Sequence, residues 1–296
     1  MGYKILEIED SWRITYQMDN IVCFLNDKKI PIFIKDIDVV LINNPTLNFS
    51  TRLINELSKN NILTIICDEK HIPNCLVLPI SGHYNSLKIL NSQINWTDEF
   101  KFNTWKRIIN MKIDQENTLL KKLKINDDVS FISLDGTTVE SIQSVEAASA
   151  KVFFSKLFGS KFIRFDESNN TNRFINSLLN YGFTILMSAF ARSIIKNGYD
   201  LRISLFHKSF NNHFALASDL MEPFRVLVDY EVYKQIRRVK SEGMVLSSAI
   251  KKDLINLIEE DMLYNKNRIR ISLGIDQYIK DILENKIPEI EFIYDI

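Results

Sequence analysis

The chain has 296 residues, 46% of them hydrophobic and 25% charged, which is the composition of an ordinary globular protein with room for two domains. Lys plus Arg and Asp plus Glu both number 37, so the net charge is zero. This excludes a protein that coats nucleic acid by bulk positive charge and leaves open a local basic groove. Three cysteines, Cys23, Cys67 and Cys75, fit no disulfide framework and point to the reducing cytoplasm. No run approaches ~18 uncharged apolar residues, so no membrane span is expected. The acids and arginine of MGYKILEIEDSWR interrupt any secretory apolar core.

Residues 1–80 read as a β-rich domain. WRITYQM and IVCFLN are short β-branched and aromatic runs joined by a turn at Asp19-Asn20. A second turn at Asn26-Asp27 leads to IPIFI and then DVVLI. STRLINELSKNN predicts a helix with Thr51, Leu53, Ile54 and Leu57 on one side and Asn60-Asn61 as its stop. ILTIIC is a buried strand. HIPNCLVLPISGHYNS, with two prolines, a glycine and several Ser and Asn, marks the boundary, and residues 81–97 are read as the linker.

Residues 98–296 take on helical periods, so the expected class is α+β: a small N-terminal β-rich domain followed by a larger all-α helical domain. Trp105, Ile109, Ile113 and Leu119-Leu120 share a face, as do Leu179, Phe183, Leu186, Phe190 and Ile194, with Gly198 placed as a C-cap. Between these lies SVEAASAKVFFSKLFG, a predicted helix with Val145, Ala148, Val152 and Phe153 as its apolar positions. FDESNNTN is a polar loop. Basic residues gather in YKQIRRVKSEG, where Lys234, Arg237 and Arg238 fall at i, i+3 and i+4, and in YNKNRIRIS. Either group is a solvated face or a set of phosphate contacts.

Chemistry concentrates in HKSFNNHFALASDLMEPFR. Asp219 and Glu222 stand three apart, so on a helix their carboxylates project from one side and repel. An arginine, a shared proton or a bound cation would relieve this. Arg225 offers the first answer, a structural ion pair. His207 adds an imidazole at the end of an apolar run, and two carboxylates with an imidazole suit Mg²⁺ or Mn²⁺. Glu146, among Ala147, Ala148 and Ala150, is a third acid that is costly to bury without a cation or donor, although an acid in the first half of a helix also suits the dipole. Cys67, His71 and Cys75 fall short of a four-ligand zinc set. His83 and His213 carry no pattern. No GxGxxG, P-loop or GxSxG motif is present.

VEAASAKVFF, LNYGFTILMSAFARSII and HKSFNNHFALASDLMEPFR together resemble the integrase-nuclease of CRISPR adaptation, CRISPR-associated protein one, in its shorter type II form. The resemblance covers nearly the whole chain and is weakest over the first ~60 residues. It implies metal ligation, and with it catalysis, by Glu146, His207 and Glu222, with Asp219 as an auxiliary acid beside them. The cofactor implied is Mg²⁺ or Mn²⁺. Phe153, Ser204, Phe206, Ala215 and Ser218 depart from the family pattern, and none of these removes a ligand.

The resemblance further implies a homodimer formed through the N-terminal domain. It implies assembly with a small second adaptation protein, CRISPR-associated protein two, into a hetero-hexamer. For a type II member, the accessory adaptation protein and the effector nuclease are further partners. The substrates would be double-stranded DNA, both the spacer precursor and the repeat target. The expected reaction is metal-dependent attack of a DNA 3′-hydroxyl, or of water, on a phosphodiester. Lys151, Lys208 and Arg225 lie close to the ligands in sequence and are candidate DNA contacts, with Arg237 and Arg238 further out. Two other readings stand beside this one: a stand-alone nuclease acting on branched or damaged DNA, and a non-catalytic helical adaptor whose acids are salt-bridged.

Overall fold

Short alternating runs build the N-terminal strands, and longer periodic runs build the helices. The computed structural model describes residues 5–67, 69, 73–77, 85–125, 138–166, 168–206, 212–238 and 244–296. His71, His83, His207 and Lys208 lie outside them. The chain divides into two units. One comprises Met1–Asn91 with Ala191–Asp200, and the other comprises Ser92–Phe190 with Leu201–Ile296.

The first unit contains β1 (Ile5–Ile8), β2 (Arg13–Gln17), β3 (Asn20–Leu25), β4 (Lys28–Phe33), β5 (Val39–Ile42), β6 (Asn48–Phe49), α1 (Thr51–Lys59), β7 (Leu63–Cys67) and β8 (Pro73–Val77). One sheet has the order β1-β5-β7-β8, the other β4-β3-β2-β6. β1, β5 and β7 run parallel, and β8 returns antiparallel to β7. Val39 to Ile42 are all buried, the pattern of a parallel strand covered on both faces. β8 opens with Pro73, and a proline is tolerated at the first residue of an edge strand. The Ser50 side chain caps α1 by accepting from the Leu53 N–H, and Asn61 follows the helix at φ +54°. Leu53 and Leu57 then join Ile14, Ile21, Val40 and Ile42 in one core.

One turn is shifted from its expected place. Pairing of Gln17 with Asn20 leaves Met18 and Asp19 as the two turn residues, at φ +46° and +59°. Both left-handed positions match the twist of the flanking strands. Asn20 instead starts β3 and donates its side-chain N–H to the Met18 carbonyl at 2.7 Å.

The second unit carries most of the helices: α2 (Ser86–Ile94), which begins in the first unit, α3 (Asp98–Lys122), α4 (Val139–Phe158), α5 (Asn170–Lys196), which ends in the first unit, α6 (Ala215–Leu220), α7 (Arg225–Arg238), α8 (Ser248–Asn256) and α9 (Ile271–Leu283). Thr97 caps α3, acids occupy its first turn and lysines its last, so both ends complement the helix dipole. Gly198, at φ +85°, stops the chain after α5. By length and composition α5 is long and apolar enough to cross a membrane. Its most apolar window is 67% buried within the chain, as in the core helix of a folded domain.

To the expected all-helical domain the structure adds a three-stranded antiparallel sheet, β10-β9-β11: β9 (Asp261–Tyr264), β10 (Asn267–Arg270) and β11 (Ile290–Phe292). The basic run YNKNRIRIS is the β9–β10 hairpin, with Asn265 and Lys266 at its turn. Its arginines are ion-paired, Arg268 to Asp261 at 2.7 Å and Arg270 to Glu259 at 2.8 Å.

An aromatic cluster anchors this unit. Phe224 packs edge-on against Phe190, Tyr278 and Phe292, each ring centroid 5.2 Å away. Phe224 ends a 3-10 turn, Glu222–Phe224, that joins α6 to α7. The cluster therefore fixes the turn that carries Glu222, and α3 packs directly on that turn.

Candidate active site

Glu222 begins the anchored turn and its side chain is only 5% exposed. Glu146 lies midway along α4. The buried face of α4 is not the one its apolar residues suggested: Ile142, Phe153 and Leu157 are buried, whereas Val152 is 42% exposed. The stripe Ile142, Glu146, Ser149, Phe153 has helical spacing, so burying its apolar members turns Glu146 and Ser149 inward. Val152 lies off that stripe.

The two carboxylates meet on a single cation. Lys112 of α3 places its ammonium 2.8 Å from Glu146 Oε1 and 2.7 Å from Glu222 Oε2. Arg225 donates from Nη1 to Glu222 Oε1 at 2.9 Å, and its guanidinium lies over the Phe183 ring at 4.3 Å. Two acids, a lysine and an arginine therefore neutralise one another in a largely dehydrated place. Burial disfavours the Lys112 ammonium, but the carboxylates of Glu222, Glu116 and Glu146 outweigh it and hold its pKa above the usual range.

Two further carboxyls stand beside this group. Glu116, one turn beyond Lys112 on α3, accepts from Ser149 Oγ at 3.2 Å. Burial pushes its pKa up to about 7 against the pull of Lys112 and Ser149. Asp229 on α7 is buried and its Oδ1 has no hydrogen-bond partner among the described residues. Burial first, then the nearby Glu116, holds its carboxyl well above the ordinary range. Lys112, Glu116, Glu146, Arg225 and Asp229 line a cavity of about 470 Å³, with Phe154, Phe162 and Phe165 among its apolar walls and Lys151 also on its lining.

Arg164 reaches the same cavity from the segment between α4 and α5. Asn176 holds that segment. Its Oδ1 accepts from Arg164 Nη1 at 2.8 Å and from the Phe165 N–H at 3.2 Å, and its Nδ2 donates to the carbonyls of Ile163 and Asp166. Asn180 accepts from Arg164 Nη2 at 2.7 Å. The guanidinium lies 4.2 Å from the Phe165 ring centroid and forms no ion pair among the described residues. Burial, and then Arg225, lower its pKa to about 10. The asparagine of the NYG stretch thus positions Arg164. The glycine lets α5 approach α7: a Cβ on Gly182 would collide with Val228 Cγ1.

Asp219 takes a different place from Glu222. α6 ends at Leu220 and the backbone tightens, so the two acids do not share a face of one helix. Asp219 is fully buried, and its Oδ2 accepts from the backbone N–H groups of Leu205 and Phe206, both at 2.8 Å. Phe206 stacks on Trp105 at 4.6 Å, with its ring nearly parallel. These contacts fix the backbone leading into residue 207. His207 itself and Lys208 lie outside the described residues, and among the described residues no three His, Cys, Asp or Glu side chains form a metal-binding group.

The remaining described candidates are not among the residues lining this cavity. Lys234 pairs with Glu231 at 2.5 Å, Arg237 packs over Tyr233, and Arg238 is 63% exposed beside Asp253. Cys67 is buried at the end of β7, Cys75 is exposed on β8, and His213 is exposed. Sequence reading passed over Lys112, Glu116, Arg164 and Asp229. The available signal for the first two was a lysine and a glutamate standing on the buried stripe of Ile108, Ile109 and Ile113.

Comparison with known proteins places the chain in a family. The family described as CRISPR associated protein Cas1 matches residues 8–260. The CRISPR-associated endonuclease Cas1 of Neisseria meningitidis serogroup C (strain 8013) is 28% identical over 309 residues, covering 98% of this chain and 97% of that protein. A casposase bound to its integration product superposes with a TM-score of 0.78 at 19% identity, over 97% of this chain and 92% of that one. A chain of a Cas6-RT-Cas1–Cas2 complex superposes with a TM-score of 0.74 at 19% identity, over 96% of this chain and 35% of that one. At these identities the structural likeness is one of fold, a strand-rich N-terminal part followed by a helical domain. The family match spans most of the sequence: the chain belongs to the Cas1 family of CRISPR-associated proteins.

Proposed function

We propose that this chain is a metal-dependent DNA endonuclease and integrase of CRISPR adaptation, joining short duplex DNA to the repeat array. The observation that carries the metal reading is the shared cation. Glu146 and Glu222 come from separate elements and close on one ammonium, at 2.8 and 2.7 Å. Oxygen donors already arranged around a positive charge fit a hard divalent ion, Mg²⁺ or Mn²⁺. His207, the third ligand by family resemblance, follows the backbone that Asp219 holds.

A divalent ion held there would supply a Lewis acid to polarise a phosphodiester oxygen and offset the charge of the transition state. The chain's own groups do the positioning. Glu146 and Glu222 would hold the ion, and Arg225 orients Glu222 through Oε1. Lys151 and Arg164, at the cavity, meet DNA phosphates, as does Lys208. Arg164 is set for this by two neutral amides, which orient its guanidinium without neutralising it. Arg237 and Arg238 follow the duplex backbone further out. Attack by a DNA 3′-hydroxyl gives strand transfer, and attack by water gives cleavage.

The organisation expected around this centre is an N-terminal dimerisation domain over residues 1–80, a linker over 81–97 and a catalytic domain over 98–296. Homodimers of the chain assemble with CRISPR-associated protein two into a hetero-hexamer, with the type II accessory protein and effector nuclease as further partners. Salt-bridged acids alone would also suit a non-catalytic adaptor. Burying such a group is costly, and a purely structural role would be served as well by apolar packing.

The test is strand transfer of a duplex with free 3′-hydroxyls into a repeat-bearing plasmid. Product should form with Mg²⁺ or Mn²⁺ and disappear with chelator and in Glu146→Gln and Glu222→Gln. Product in the presence of chelator would refute the reading.

A further inference from the structure

We infer that Lys112 is a resident surrogate for the metal: its ammonium holds Glu146 and Glu222 together in the metal-free protein and withdraws along the cavity to Glu116 and Asp229 when a divalent ion binds. The inference rests on the metal reading of Glu146 and Glu222. It adds a positioning residue on the chain and a defined exchange of partners.

Three observations carry it. The first is place. The ammonium stands within hydrogen-bond distance of both carboxylates, where a shared cation belongs, and the Lys112 side chain is only 9% exposed. A divalent ion bound by the same oxygens cannot coexist with it there. The second is destination. Glu116 stands one turn along the same helix face, four residues from Lys112, so the flexible lysine stem can serve either end while α3 stays fixed. Asp229 lines the same cavity and brings a buried Oδ1 without a donor among the described residues, an acceptor that a displaced ammonium would satisfy. The third is room. The cavity of about 470 Å³ opens onto Lys112, Glu116 and Asp229 together, so the side chain moves through existing space.

The electrostatics agree with the exchange. Without metal, Lys112 and Arg225 neutralise Glu146 and Glu222. With metal, the divalent charge takes over that role. Lys112 would then be repelled by the ion and drawn toward Glu116 and Asp229, the other two carboxyls on the cavity. The device keeps the ligands gathered before metal arrives, and it makes the protein's own lysine a competitor for the site.

Calorimetric titration of the full chain with Mn²⁺ tests this. Wild type should bind and Glu222→Gln should not. Lys112→Met removes the competitor and leaves Glu146 without its lysine and Glu222 with Arg225, so Mn²⁺ should bind at least about tenfold tighter. Glu116→Gln and Asp229→Asn weaken the destination, so Mn²⁺ should bind about three- to tenfold more weakly. The Glu116→Gln effect should vanish in the Lys112→Met background, which a merely structural role for Glu116 would not produce.

Unchanged or weaker binding by Lys112→Met, with wild-type binding intact, overturns the surrogate role and leaves the metal site standing. No Mn²⁺ binding by wild type overturns both. If Lys112→Met fails to fold, unchanged affinity in both Glu116→Gln and Asp229→Asn overturns the exchange.

Discussion

Replacing Asp219 separates holding the backbone from holding a metal. Asp219 is fully buried, and one oxygen accepts two backbone N–H groups, from Leu205 and Phe206, both at 2.8 Å. A hydrogen bond to a charged acceptor contributes roughly 1.5–3 kcal/mol, and a buried donor left unmatched costs a similar amount. Because both bonds share one oxygen they do not add fully, and Asp219→Ala should cost about 3–5 kcal/mol. That is a large part of a typical total of about 5–15 kcal/mol. Asp219→Asn keeps a neutral acceptor and should lose roughly half as much. Urea denaturation of the metal-free protein, with m unchanged, measures both. Glu222→Gln, which removes a carboxylate charge beside Lys112 and Arg225, should abolish strand transfer while the protein remains folded. A loss below about 1 kcal/mol in Asp219→Ala would refute the anchoring role.

Other outcomes follow from the same geometry. Burial raises the Glu116 pKa from 4.5 to about 7, so the folded state holds that proton more tightly than the unfolded chain. The resulting penalty is absent below about pH 4.5, grows as pH rises to about 7 and is then full, at about 3 kcal/mol from ~1.36 kcal/mol per unit. Glu116→Gln cannot ionise, so its stability relative to wild type should rise over that window in metal-free buffer; a constant difference would contradict the assignment. The groups facing Glu116 there are Lys112, Ser149, Glu222 and Glu146. Gly182→Ala forces a Cβ into Val228 and should destabilise by roughly 1–3 kcal/mol, with recovery on adding Val228→Ala. Full stability of Gly182→Ala alone would contradict the close approach. Lys151→Gln and Arg237→Gln should each weaken duplex binding evenly across sequences and reduce the salt slope by about 1. An unchanged slope removes that residue from the interface.

What could be read in advance differed by element. α1, α3 and α5 were visible because buried residues recur at helical spacing over several turns, with Ser50, Asn61 and Gly198 punctuating them. β1 and β9–β11 were missed because three or four residues carry a period only when, as in the all-buried Val39–Ile42, they are uniformly apolar. The α4 face was misjudged because Val152 was counted as core, whereas the inward stripe runs through Ile142, Glu146, Ser149 and Phe153. Buried polar groups depend on partners from other elements, which local spacing does not reveal. For the same reason Lys112 reads as one more solvated lysine until Glu146 and Glu222 arrive from α4 and the turn after α6. Arg164 sits in a polar segment whose order comes from Asn176 and Asn180 on the following helix. The repulsion expected between Asp219 and Glu222 assumed one continuous helix. The turn at Glu222–Phe224, held by the aromatic cluster, sends them apart.

The most direct measurement is an anomalous-scattering map of crystals of this protein grown with Mn²⁺. The account predicts one peak about 2.0–2.6 Å from carboxylate oxygens of both Glu146 and Glu222, with the Lys112 ammonium withdrawn from between them. No peak at that position, with Lys112 still bridging the two acids at saturating Mn²⁺, would contradict it.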